Sequence, residues 1–137
     1  MIRRLVPEDY YKGYLDLLNQ LTVTNTFVSY LDFFNQLNNI NSDIFVIELD
    51  NKIVASGSIL IERKFIRDFR SVGHIEDIVV DKDYRSKGLG KQIINYLTQY
   101  AKDNGCYKVI LDCSKENVEF YTKCGYIDKG VCMGLYF

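Results

Sequence analysis

Apolar residues fall along this chain in two periods, and the change from one to the other marks out the elements. Ile2–Leu5 reads as a short strand. Pro7 suits the first turn of a helix, with Glu8 and Asp9 favourable at its positive end. Tyr10, Tyr14, Leu17, Leu18 and Leu21 then follow at helical spacing. Ser29, with Asp32 three residues on, predicts a second capped start, and Tyr30, Phe33, Phe34 and Leu37 supply its apolar stripe. The period next shortens. Ile44–Leu49 and Ile53–Ile61 read as strands joined by the turn signal Asp50-Asn51. Glu62–Arg70 is too charged for a central strand and reads as a loop or a strand extension, whereas Val72–Val80 predicts a long strand. Leu89, Ile93, Leu97, Tyr100 and Ala101 share one helical face, which Asn104-Gly105 can end. Tyr107–Cys113 reads as a buried strand. Ser114 is expected to cap a short helix through Cys124, with Gly125 at its end, and Val131, Met133 and Leu135 alternate as a last strand.

Two helices, a meander and then strand–helix–strand–helix–strand make an α/β arrangement with a mixed sheet. No linker or repeat divides the chain, so residues 1–137 are expected to form a single domain. The 17 Lys and Arg balance 18 Asp and Glu. That balance argues against general nucleic-acid binding, which needs excess positive charge. No apolar run is long enough to span a bilayer, and the first residues turn acidic too soon for a secretory signal. A cytoplasmic protein with no membrane span is the expectation. Cys106, Cys113, Cys124 and Cys132 lack metal-site spacing, and His74 is the lone His. Four reduced, structural cysteines and no metal follow, and no base accompanies any of them as a nucleophile. His74 itself reads as structural.

The chemistry begins at Arg85-Ser86-Lys87-Gly88-Leu89-Gly90-Lys91, between a strand and a helix. Gly88 and Gly90 remove side chains where a ligand would approach the backbone. The amides of a helix start favour negative charge, and Arg85, Lys87 and Lys91 add cations. By itself the turn is either a plain helix start or an anion cradle. It is not a Walker loop, since Gln92 stands where Ser or Thr is required, and it lacks the third Gly of a dinucleotide loop.

The turn matches Gln/Arg-x-x-Gly-x-Gly/Ala, the signature of the GNAT family of N-acetyltransferases, and the chain resembles that family over nearly its whole length. The agreement is most specific in Gly73-His74-Ile75-Glu76-Asp77-Ile78-Val79-Val80, in Gly105-Cys106-Tyr107-Lys108 with Leu111-Asp112-Cys113, and in Asn117-Val118-Glu119-Phe120-Tyr121. Within the family, these segments look like those of members that acetylate glucosamine 6-phosphate. The resemblance implies a twisted mixed sheet with about four helices and a V-shaped splay between two parallel strands, Val72–Val80 and Tyr107–Cys113. Acetyl-CoA would lie in the splay, and the amine would attack the thioester directly in a ternary complex. Ile78, Val79, Val80, Arg85, Ser86, Lys87, Gly88, Leu89, Gly90, Lys91, Asn117, Tyr121, Thr122 and Lys123 would hold the cofactor. An intertwined homodimer, with active sites near the subunit interface, is a further implication, and the apolar ending (Val131, Met133, Leu135, Phe137) is compatible with it.

Glu76 and Asp77 are neighbours in an apolar strand, so both reach one face only if the strand is bulged. A bulge would also free a backbone N–H for the acetyl oxygen. Read without the resemblance, the pair is one solvated carboxylate and one structural ion pair; with it, both become ligands of the sugar or its amine. Asp112 closes a strand and either helps cap the next helix or, by resemblance, orients or deprotonates the amine. Tyr121 is a core ring from the sequence and the general acid for the departing thiolate by resemblance. Glu76, Asp112 and Tyr121 are thus the catalytic candidates, and the base is Asp112, Glu76 or water. Thr22, Lys64, Arg67, Tyr107 and Lys108 match substrate positions of the family, and a sugar phosphate needs fixed cations. Some relatives end in a basic residue that reaches that phosphate, whereas Gly134-Leu135-Tyr136-Phe137 offers none, so Arg67 or Arg70 is expected to compensate. Two other functions fit the turn: acetylation of another small amine or a protein amine, and a silent acyl-CoA-binding sensor. A protein acceptor predicts little need for Lys64, and a sensor needs only the glycine turn.

Overall fold

The computed structural model describes residues 1–137. Five strands lie side by side in chain order: β1 (Ile2–Arg4), β2 (Asp43–Leu49), β3 (Lys52–Glu62), β4 (Ser71–Val80) and β5 (Cys106–Ile110). The first three pairings are antiparallel and β4–β5 is parallel, which gives the expected mixed sheet. Helices α1 (Tyr14–Leu21) and α2 (Tyr30–Asn39) precede β2. A single turn, α3 (Ile66–Phe69), precedes β4, and α4 (Leu89–Asp103) and α5 (Val118–Lys123) flank β5.

The sheet is covered on both faces, which explains the unbroken apolar run Ile44–Ile47. Ile44 and Val46 face a layer built from Tyr14, Leu17 and Phe33 of α1 and α2. Phe45 and Ile47 face Leu89, Ile93, Ile94, Leu97 and Ala101 of α4. A strand buried on both faces reads as continuous rather than alternating. Ser29 caps α2 as expected, its hydroxyl accepting from the Asp32 amide at 3.1 Å.

The first helix is not continuous. Pro7–Lys12 is a 3₁₀ turn, and Gly13, at φ +79°, redirects the chain into α1. Asp9 is the cause. It is fully buried, takes both ends of the Arg3 guanidinium at 2.8 Å, and accepts from the Val6 amide at 3.0 Å. These bonds tie the turn to β1, and only after Gly13 is the chain free to start a regular helix.

Three other expectations change at the far side of the sheet. The charged stretch after β3 includes α3, where Arg67, Asp68 and Phe69 all take left-handed backbone angles. β5 stops at Ile110 instead of Cys113. Residues 131–137 form no strand, and Val131 and Met133 are 90% exposed. Their alternation is present, but no strand of this sheet stands beside them, and an unpaired strand has nothing to satisfy its backbone.

The feature that shapes the functional side lies in β4. Ser56 of β3 faces Val79, yet Ser58 faces Glu76, so Gly57 alone stands opposite two residues, Asp77 and Ile78. This is a β-bulge, and Asp77 sits in it at φ +53°. Gly57 is required there by packing. A Cβ at this position would lie 2.6 Å from Ile78 Cδ1 and 2.6 Å from Ile93 Cγ2. Gly57→Ala should therefore destabilise the protein by about 1–3 kcal/mol, the usual cost of overpacking a tight core. Urea unfolding measures this, and a variant as stable as the parent would show that the bulge relaxes freely.

Candidate functional site

β4 and β5 are neighbours only at their beginnings. Ser71, Val72, Gly73 and His74 pair with Cys106, Lys108, Val109 and Ile110, and the pairing then ends. The bulge turns β4 away, and the edge of β4 beyond Ile75 faces no strand. A cleft of about 480 Å³ opens at this end of the sheet. Ile78, Val79 and Val80 line one wall, and the turn and helix start from Arg85 through Lys91, without Lys87, line the next. Gln20, Leu21, Asn117 and Phe120 close the other sides.

The turn is built to leave its amides free. Ser86 is at φ +65° and Gly88 at φ +79°. Gly88 is the N-cap of α4 and no side chain caps the helix. The first bond of α4 is Gln92 N–H to Gly88 O, at 3.1 Å. The amides of Leu89, Gly90 and Lys91 therefore have no helical acceptor and concentrate positive potential at the cleft. Gly90 matters for a second reason: a Cβ there would stand 3.3 Å from Phe120 Cζ, so the missing side chain lets that ring lie against the helix start. Arg85 is fixed by its Nε, which donates to the Val80 carbonyl at 3.1 Å.

Carboxylates gather around the bulge. Glu76 and Asp77 are both exposed, as a bulged pair can be. Exposed as it is, the Glu76 carboxyl is partly shielded from water, and that shielding, then the charges of Asp77 and Asp112, push it up against a smaller opposing effect of His74. Asp112 follows β5 where the strands have parted, and hydrogen bonding to it, then its charge, raise the Cys132 thiol. The four cysteines are free thiols. Tyr121 is half-buried, edge-on to Phe120 at 5.0 Å and to Tyr126 at 6.3 Å. Burial, with the nearby Cys113 and Cys124, pushes its phenol up, so it stays protonated at neutral pH.

Cations gather beside α3. Arg67, Arg70 and Lys108 place their charges 5.3, 5.8 and 5.6 Å from the Tyr107 ring centre. None of the three is in an ion pair. Lys64 is paired with Glu62 at 3.2 Å, and Glu62 also holds His74 Nε2 at 2.8 Å, a structural place for the lone His.

The description "Acetyltransferase (GNAT) family" matches residues 2–126 of this sequence. The chain belongs to the GNAT acetyltransferase family. It is 47% identical to glucosamine 6-phosphate N-acetyltransferase of Arabidopsis thaliana, over 99% of this chain and 95% of that protein. It is 45% identical to glucosamine 6-phosphate N-acetyltransferase 1 of Dictyostelium discoideum, over 98% of this chain and 88% of the relative. The crystal structure of the Arabidopsis enzyme superposes with a TM-score of 0.96, covering 100% of this chain and 97% of that one. The splayed sheet is therefore the GNAT fold.

Of the expected cofactor residues of this GNAT chain, Ile78, Val79, Val80, Arg85, Ser86, Gly88, Leu89, Gly90, Lys91 and Asn117 all meet in the cleft. Lys87 points elsewhere, with its ammonium 5.2 Å from the Tyr84 ring centre. Tyr121, Thr122 and Lys123 are not in the lining. Thr122 donates to the Val118 carbonyl at 2.8 Å, and Lys123 pairs with Glu119 at 3.3 Å on the exposed side of α5. Thr22 is the exposed C-cap of α1. Gln20, Leu21 and Phe120 also line the cleft, although none of them is an expected site residue. Each is next or next but one to a residue that is, Thr22 or Tyr121, but helical phase alone does not say which of two neighbours turns inward.

Because Glu76 has a raised pKa, the fold favours its protonated form. Its stabilising effect is complete below the ordinary carboxylate pKa and is lost as pH rises through the raised value. Asp112→Asn removes one of the charges that raise it. The Glu76 carboxyl resonance, followed by carbon-13 NMR titration, should then titrate at lower pH. An unshifted titration would show that the two carboxylates do not interact.

Proposed function

We propose that this chain, as one N-acetyltransferase domain, transfers the acetyl group of acetyl-CoA to the 2-amino group of glucosamine 6-phosphate. The products are N-acetylglucosamine 6-phosphate and CoA, a step toward UDP-N-acetylglucosamine. The observation that carries the reading is the meeting of two environments at the open end of the sheet, unclaimed amides at a helix start and a carboxylate cluster, while cations without counter-charges stand at the paired beginnings of β4 and β5. The names of the two relatives and of the superposed crystal structure support the choice of acceptor.

The cleft suits the cofactor. Acetyl-CoA supplies the activated acyl group. The free amides of Leu89, Gly90 and Lys91, with Arg85 and Ser86, would receive its pyrophosphate, and the unpaired edge of Ile78–Val80 would receive the amides of its arm. Asn117 would fix that arm from the opposite wall. Glu76, Asp77 and Asp112 would hold the amino sugar, and a carboxylate or a water it orients would take the amine's proton. The protonated Tyr121 would donate to the departing sulfur. Direct attack needs no acyl-cysteine. Thr22, Lys64, Arg67, Tyr107 and Lys108 would contact the amino sugar phosphate, with Arg67 or Arg70 as the cation for its phosphate. The protein would act in the cytoplasm as a homodimer whose apolar ending packs on a second copy, near the active sites. No helix is long and apolar enough to cross a membrane.

Thiol release from acetyl-CoA against a panel of amines is the test. Glucosamine 6-phosphate should react well above glucosamine, polyamines and peptides. Arg67→Ala and Arg70→Ala should each raise its KM about tenfold, the size of one charged hydrogen bond. Faster release with a polyamine or peptide would assign another acceptor, no release with any amine would favour a sensor, and unchanged KM in both variants would remove those arginines from the phosphate site.

A further inference from the structure

The cofactor turn carries two left-handed positions, Ser86 and Gly88, and no side chain caps the helix that follows. Nothing within Ser86–Gly90 explains why the turn holds its shape. The restraint lies just before it, in residues outside the anion cradle. Asp81 leaves β4 and is only 2% exposed, an unusual depth for a carboxylate beside a surface turn. Every polar group of this residue is engaged. Its Oδ2 pairs with Lys52 Nζ at 2.9 Å. Its Oδ1 accepts from the Asp83 amide at 2.9 Å. Its own amide donates to the Val54 carbonyl at 2.8 Å, and its carbonyl accepts from the Tyr84 amide at 2.8 Å. A buried carboxylate persists only with such compensation.

These bonds bind three separate parts of the fold. Lys52 belongs to the start of β3, just after the Asp50-Asn51 turn, and its ammonium also lies 5.7 Å from the Tyr84 ring centre. Lys87, inside the turn, sits on the same ring at 5.2 Å. The third part is α1. Gln20 Oε1 accepts from the Lys82 amide at 2.9 Å, and Gln20 also lines the cleft opposite the turn. The wall of the cleft and the approach to the turn are thus joined by one hydrogen bond.

We infer that Asp81, with Lys52 as its charge partner and with its neighbour Lys82 tied to α1 through Gln20, is a positioning residue that holds the Ser86–Lys91 turn in the shape that receives the cofactor's pyrophosphate. The inference rests on the cofactor reading above. It differs from a general stabilising role in what it predicts. A loosened turn weakens the contact with pyrophosphate and leaves the edge of β4, where the pantetheine arm would run, as it was.

The experiment compares CoA with pantetheine, which lacks the pyrophosphate and the nucleotide. CoA affinity is measured by calorimetry and pantetheine affinity by NMR titration, on the parent, Asp81→Asn, Lys52→Met and Lys52→Arg. Lys52 is 47% exposed, so its replacements open no cavity, and Lys52→Arg also keeps a cation on the buried carboxylate, which makes it the variant to compare should Asp81→Asn or Lys52→Met not fold. Asp81→Asn and Lys52→Met should bind CoA about tenfold more weakly and bind pantetheine as the parent does. Lys52→Arg should recover most of the CoA affinity. A parent that binds CoA, with folded variants that bind it equally well, overturns this inference alone. Equal losses for CoA and pantetheine also overturn it, since they indicate a global change. A parent that does not bind CoA overturns the cofactor reading and the inference together.

Discussion

β4 is held along its whole length by β3 and along less than half of it by β5. That imbalance is the constraint on which the site depends. A parallel pair that stayed together to the end would satisfy the backbone of β4 and leave no cleft. The bulge at Asp77 breaks the symmetry, and Gly57 makes the bulge possible by leaving room for Ile78 and Ile93. The consequence is an unpaired stretch of edge on an interior strand of the sheet. Edges of this kind invite pairing with another chain. Here the edge is recessed in a cleft, where α1, α5 and the start of α4 limit what can reach it.

Charge is sorted around that opening. Free amides at the start of α4 attract an anion, and the carboxylates of Glu76, Asp77 and Asp112 attract a cation or an amine; the cations on Tyr107 stand apart, where β4 and β5 begin paired. An anionic cofactor and an amine brought to that opening would each meet complementary charge. The like charges cost stability while the site is empty, and the raised carboxyl of Glu76 records part of that cost. Such strain is common where binding and catalysis need groups that a stable core would not keep together.

Much of this was legible from the residues. The apolar face of α4, the β2–β3 hairpin and the Ser29 cap follow from period and local hydrogen bonding, which act over a few residues. Two adjacent carboxylates in an apolar strand left a choice between a bulge and a solvated group beside an ion pair, which only the pairing with β3 decides. The glycine turn indicated an anion cradle but not its ligand, and the family resemblance supplied that. Other features depended on partners far away in sequence. The break before α1 comes from Arg3 reaching Asp9, which no helical periodicity reports. β5 ends early because β4 has already turned away. The alternation of Val131, Met133 and Leu135 is real, but a strand needs a neighbour, and the chain supplies none at that place. Asp81 looks like an ordinary acidic turn residue until Lys52 and the Asp83 amide are seen around it.

The central claim is that the parted ends of β4 and β5, with the turn after β4, form the cofactor site. Amide hydrogen exchange with and without CoA tests it directly. The account predicts slowed exchange at Ile78–Val80 and at Ser86–Lys91, with little change at Val72–His74, where β4 is already paired with β5. Protection confined to other surfaces, or spread evenly over the whole sheet, would contradict it.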